Sequence, residues 1–133
     1  MKRKFGNKIT YVGDIRFDSK SEANYYLILL EKQRRGEISN LRRQVSYELM
    51  PKITEQKEEI KHLKTKDKIV KKQVVIQSAV NYIADFVYID NKTGREHIID
   101  VKGKTAPLLP DFKLKQKMMR YLLGKTVEIV RMG

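Results

Sequence analysis

Between Val80 and Gly103 the chain reads VNYIADFVYID, then NKTG, then REHIIDVKG. No other stretch limits the fold as much. The first segment is apolar on both faces, with Val80, Tyr82, Ala84 and Phe86 on one and Ile83, Val87 and Ile89 on the other. Such a pattern predicts a central strand covered from two sides. A four-residue turn follows, so the second apolar run returns antiparallel beside the first. The turn also sets the register. Residues 91–94 are centred between Lys92 and Thr93, and opposed residues of a symmetric hairpin then share a constant sum, which Asp85 and Asp100 satisfy.

Two carboxylates facing each other across ~5 Å repel by roughly 3 kcal/mol at an effective dielectric near 20. Folding alone does not ask for this on a buried strand. Compensation comes either from a divalent cation held by hard oxygen ligands or from Lys102, which shares a strand face with Asp100. A structural Asp85–Lys102 ion pair, with Asp100 at a solvated strand end, is the competing reading. Spacing leaves both open.

The rest of the chain fits around this hairpin. ITYVGDIRFDS predicts two short strands about Gly13. In SKSEANYYLILLEKQRRG, Ala23, Tyr26, Leu27 and Leu30 fall on one helical face, and Gly36 ends the helix. RQVSYELMP alternates Val45, Tyr47 and Leu49 as a half-buried strand. Residues 52–72 are a mixed-charge stretch that reads equally as a solvent-facing helix or an extended arm, and β signal resumes at Val74. LPDFKLKQKMMRYLLG predicts a second helix with Pro110 near its start and Gly124 at its end, and KTVEIVRM a last strand. The expectation is one α/β domain over 1–133, a small mixed sheet with flanking helices, interrupted by a charged insert at 52–78.

Charge indicates the partner. With 29 Lys and Arg against 16 Asp and Glu, the chain carries a formal net charge of +13, which favours a polyanion, nucleic acid first. Lys113, Gln116, Lys117 and Arg120 recur at helical spacing, a face suited to phosphates, opposite Leu114, Met118 and Leu122. There is no cysteine, which removes thiolate metal sites and thiol nucleophiles. The basic N-terminal stretch lacks the apolar core of a secretory signal, and YYLILL is too short to span a bilayer, so a cytoplasmic protein is expected. Neither GKT, at Gly103 or Gly124, has the preceding glycine of a phosphate-binding loop. His62 and His97 do not form a metalloprotease motif, and no G-x-S-x-G is present. Glu22 has a plain explanation, since Ser19-x-x-Glu22 is a capping box.

An acid in a central strand, a turn, then Asp-x-Lys on the next strand, in an αβββαβ order, resembles the PD-(D/E)XK nuclease superfamily. Asp85 matches its first acid, Asp100 with Lys102 the (D/E)xK pair, and Glu22 a glutamate many members carry on the first core helix. FDSKSEANYY, GEISNLRRQVSYEL, YIADFVY and DVKG are similar to a family of small phage-encoded proteins grouped with endonucleases and Holliday junction resolvases. The resemblance implies a restriction-endonuclease-like core and Mg²⁺- or Mn²⁺-dependent hydrolysis of DNA in a bacterial host cytoplasm. It also implies Asp85, Asp100 and the Val101 carbonyl as metal ligands, Glu22 at a second metal or a water, and Lys102 positioning the attacking water. Related resolvases act as homodimers, and YYLILL suits either core or dimer contact. A non-catalytic DNA-binding module and a phage packaging factor are the alternatives.

Overall fold

The structure is a computed structural model that describes residues 8–133. Its elements are β1 (Thr10–Val12), β2 (Ile15–Phe17), α1 (Lys20–Arg34), β3 (Ile38–Met50), β4 (Ile53–His62), β5 (Asp67–Gln77), β6 (Val80–Asp90), β7 (Glu96–Gly103), α2 (Pro110–Leu123) and β8 (Val127–Met132). The chain divides into two compact units. One runs to Tyr47 and resumes at Tyr82–Gly133; the other is Glu48–Asn81.

The larger unit is an α/β assembly around a four-stranded sheet in the order β3-β6-β7-β8. β6 and β7 are antiparallel and β7 and β8 parallel, so the sheet is mixed. With the insert set aside, α1, β3, β6, β7, α2 and β8 give the expected αβββαβ order. No helix among the described residues is long and apolar enough to cross a membrane.

The turn between β6 and β7 holds the register that the sequence predicts. Asp90 Oδ1 accepts from the Lys92 amide at 2.8 Å, Gly94 adopts φ +73° and its amide donates to the Asp90 carbonyl at 2.7 Å. An aspartate capping its own turn and a glycine at positive φ are what this bend requires. The ladder then pairs Phe86 with Ile99, Val87 with Ile98, Tyr88 with His97 and Ile89 with Glu96. β6 is covered on both faces at Phe86 and Val87, which are fully buried, but Ile83 is 53% exposed, so the two-sided cover does not extend along the whole strand.

Both helices bury a stripe rotated from the one the apolar residues suggest. In α1 the buried residues are Glu22, Ala23 and Leu29, with Tyr26 and Leu30 half-buried. Ala23, Tyr26 and Leu30 of the expected face do turn inward, but the stripe is shifted toward Glu22 and Leu29, and Leu27 is exposed. Tyr25 and Tyr26 both reach Phe86, at ring-centroid distances of 6.0 and 5.9 Å, and Phe17 stands 5.2 Å from Tyr26. This aromatic cluster sets the rotation. In α2 the inward line is Phe112, Gln116 and Met119; of the expected apolar face, Leu114 and Leu122 are exposed and Met118 is half-buried. Pro110 begins α2 and Gly124, at φ +64°, ends it, as expected.

Of the two alternatives for the charged insert, the extended arm holds, folded back on itself as a ribbon. β4 and β5 form an antiparallel hairpin, from Ile53 against Gln77 to His62 against Asp67, with every β4 side chain exposed. A ribbon wet on both faces has no reason to alternate polar and apolar residues, which is why its strand period is absent from the sequence.

Phe86 is the centre of the larger unit, so Phe86→Ala should destabilise it by about 3–5 kcal/mol through a cavity the three neighbouring rings cannot fill. Denaturant melts check this, and a loss below about 1 kcal/mol would place the core elsewhere.

Candidate functional site

A cleft of about 230 Å³ opens in the larger unit, lined by Ser19 and Glu22 of α1, Asp85 of β6, Asp100 and Lys102 of β7, and Phe112 of α2, among others. Every acid and base singled out in the sequence as catalytic therefore meets at one place.

Asp85 stands where the β6–β7 ladder ends. The last paired residues are Phe86 and Ile99, and the next rung of that register is Asp85 with Asp100. Instead of a backbone carbonyl, the Asp85 carboxylate takes the next amide: its Oδ2 accepts from Val101 N at 2.8 Å. A buried N–H must find an acceptor, and here a side chain supplies it. The strands part without an unsatisfied group, and the carboxylate is anchored to the backbone of the neighbouring strand.

Asp100 is only 6% exposed. Its Oδ2 accepts from the Tyr82 hydroxyl at 2.7 Å and its Oδ1 lies 2.9 Å from Lys102 Nζ. Lys102 in turn sits 4.3 Å from the centroid of the Phe112 ring, in cation–π range. Lys102 thus pairs with Asp100, and Asp100 is not at a solvated strand end. The reading of Asp85–Lys102 as a structural ion pair is corrected on both counts.

Glu22 makes half of a capping box. The Ser19 hydroxyl accepts from the Glu22 amide at 3.1 Å, but the Glu22 carboxylate accepts from Gln44 Nε2 at 2.9 Å. Gln44 holds φ at +51°, a left-handed conformation that costs a non-glycine residue roughly 1 kcal/mol or more. A carboxylate that opens a helix's buried stripe and is met by a strained residue on β3 is not what capping alone requires.

The cleft gathers carboxyl groups in a setting that disfavours their charged forms. Burial raises the Glu22 carboxyl above its ordinary range, with Arg43 opposing the shift. Burial pushes Asp85 up from 3.8 to about 8, helped by the charges of Glu22 and Asp100 and resisted by the Val101 amide and Lys102. Four acids, Asp18, Glu22, Asp85 and Asp100, line the cleft with Lys102, while Arg43 acts on Glu22. All the donors are hard oxygens, so the set suits a cation such as Mg²⁺ or Mn²⁺, which binds through one or two carboxylates and completes its shell with water and phosphate. Among the described residues no three of His, Cys, Asp and Glu are placed to enclose a metal ion. The fit is to an open two-carboxylate site, with Asp85 and Asp100 as the acids and Val101 in the same lining.

Tyr82, Gln44 and Phe112 are the members that sequence reasoning missed. Tyr82 carried one signal, since a tyrosine in a buried strand needs a partner for its hydroxyl; Gln44 carried none. On α2, Lys113, Lys117 and Arg120 are exposed, but Gln116 turns inward and donates to the Val127 carbonyl at 3.3 Å, so it leaves the expected basic face. His97 is held against Glu128 at 2.7 Å and stacks on Tyr88, a packing role.

The raised acid sets a pH dependence. A group whose folded-state pKa exceeds its unfolded value stabilises the fold fully below the unfolded pKa, and the benefit is lost as pH rises through the folded one. For Asp85 that window runs from about 4 to about 8. In EDTA the melting temperature of the wild type should fall across it more steeply than that of Asp85→Asn, which keeps an acceptor for Val101 N without the charge. At the alkaline end the Asn variant should be the more stable by on the order of a few kcal/mol. Parallel melting curves would show no site repulsion.

Comparison with known proteins places the chain in a family. No curated protein and no solved structure matches the chain. The model of a family described as "Protein of unknown function (DUF1064)" matches residues 2–131, nearly the whole sequence, and the chain belongs to that family.

Proposed function

We propose that the protein is a Mg²⁺- or Mn²⁺-dependent endonuclease that hydrolyses phosphodiester bonds in DNA, built on a PD-(D/E)XK-type core. What supports this most is one observation: Glu22, Asp85, Asp100 and Lys102, from three different elements, line a single cleft whose acids outnumber its base. The +13 charge and the exposed Lys113, Lys117 and Arg120 support a DNA substrate. Phage DNA metabolism in a bacterial cytoplasm, action on branched DNA and a homodimer making paired cuts belong to the same proposal.

Asp85 and Asp100 would hold the ion, with the Val101 carbonyl as a further ligand. The chemistry a bound ion supplies is Lewis-acid polarisation of the scissile phosphate and a lowered pKa for water. The chain's own residues then do four things. The Val101 amide fixes the Asp85 carboxylate, and the Tyr82 hydroxyl fixes that of Asp100. Lys102, held between Asp100 and the Phe112 face, places a positive charge where negative charge develops on the phosphate as water attacks. Glu22, kept in place by Gln44, orients that water and accepts its proton. Because Asp85 holds a proton up to about pH 8, ion binding should displace it, so apparent affinity should rise with pH.

Cleavage of linear, flapped and four-way DNA, with and without Mg²⁺, is the test. The wild type should cut only with the ion. Asp85→Asn and Lys102→Met should each lose roughly 10²-fold or more while still binding DNA. Salt-dependent DNA binding with no cleavage of any substrate would replace this proposal with a non-catalytic DNA-binding module, a role the already hydrogen-bonded carboxylates favour.

A further inference from the structure

The β4–β5 hairpin has a charge pattern that its own folding does not explain. Its register places Lys57 opposite Lys72 and Lys61 opposite Lys68. Both rungs lie on the same face, because 57 and 61 are an even number of residues apart. Directly opposed like charges destabilise an antiparallel pair, and an isolated two-stranded hairpin is marginal in water to begin with. Glu55 and Glu59 share that face but stand opposite Val74 and Val70, so neither crosses to a lysine. Among the described residues none of the four lysines forms an ion pair.

The charge is also concentrated in the distal half. From the Lys57/Lys72 rung to the tip, residues 57–72 hold Lys57, Lys61, Lys64, Lys66, Lys68, Lys71 and Lys72 against Glu58, Glu59 and Asp67, a net charge of +4. The proximal residues 53–56 and 73–77 hold Glu55 alone, a net charge of −1. A charged surface kept only for solubility has no need of this polarity.

We infer that the distal half of the β4–β5 hairpin is a nucleic-acid-binding arm that grips the phosphates of duplex DNA through the Lys57/Lys72 and Lys61/Lys68 rungs. The major groove of duplex DNA is about 12 Å wide. Four residues of strand cover about 13 Å, so a ribbon laid across the groove brings one rung to the phosphates of each wall. Bound phosphate removes the repulsion within each rung, so DNA binding and hairpin order reinforce one another. The inference shares with the proposed function the premise of a DNA substrate, but it does not depend on catalysis.

The experiment compares the wild type with a Lys57→Gln, Lys61→Gln, Lys68→Gln, Lys72→Gln variant, reading the affinity for a labelled DNA duplex as salt is varied. The variant should melt no lower than the wild type without DNA, because its like-charge rungs are gone. The slope of log K against log salt should become shallower by about 2 to 4, at about 0.9 for each phosphate that the variant no longer neutralises. A Lys113→Gln, Lys117→Gln variant gives the separate share of α2, about 2 at most. An unchanged slope in the hairpin variant, or no duplex binding by the wild type, would overturn the inference. Loss of binding to anionic lipid vesicles, or loss of self-association in an Ile60→Thr, Ile69→Thr variant, would overturn it where the DNA slope is unmoved. A shallower slope in a protein that cuts no DNA leaves the arm standing and defeats only the nuclease.

Discussion

Everything at the cleft depends on the register of one antiparallel pair. A slip of a single residue between β6 and β7 would move Asp85 away from the Val101 amide and turn Asp100 and Lys102 to the opposite side of the sheet. The structure prevents this at the far end, beyond four intervening rungs, where Asp90 caps its own turn and Gly94 supplies the one backbone conformation that closes it. Turn chemistry and site geometry are thus the same specification at two ends of a hairpin. The parallel strand β8 then braces β7 from Ile98 to Gly103, the stretch that carries both Asp100 and Lys102.

Within that frame the cleft trades stability for charge. A fold optimised only to persist would not place Glu22 in the buried stripe of α1, nor hold Asp85 where burial and two other acids keep it protonated near neutrality. The surroundings limit the cost locally. Asp100 has a hydroxyl and an ammonium, Glu22 an amide and Asp85 a backbone N–H, so each acid has a fixed donor even though their sum is not neutralised.

How much of this could be read beforehand followed from the range of the forces involved. The positions of Asp85, Asp100 and Lys102 follow from counting along a hairpin, because a turn fixes register without help from the rest of the chain. Helix boundaries were legible from Ser19, Gly36, Pro110 and Gly124 for the same local reason. Helix rotation was not. In both α1 and α2 the inward stripe contains a polar residue, Glu22 in one and Gln116 in the other, and only tertiary partners make burial of either tolerable. Gln44 was beyond reach, since nothing in RRQVS announces a left-handed residue inside a strand. The hairpin at 53–77 was hidden because it buries too little on either face to leave a periodic trace.

The bond from the Val101 amide to Asp85 has a consequence for how such a protein can change over generations. What the backbone needs at position 85 is an acceptor, and either a carboxylate or a carboxamide provides one. A lineage that exchanged Asp for Asn there would keep its sheet and replace a carboxyl that burial holds protonated to about pH 8. Under the proposed function it would also shed the chemistry in a single step. On that reading the acid persists only where its charge is used, and the residue at this position in a relative becomes a simple indicator of whether the chemistry is kept.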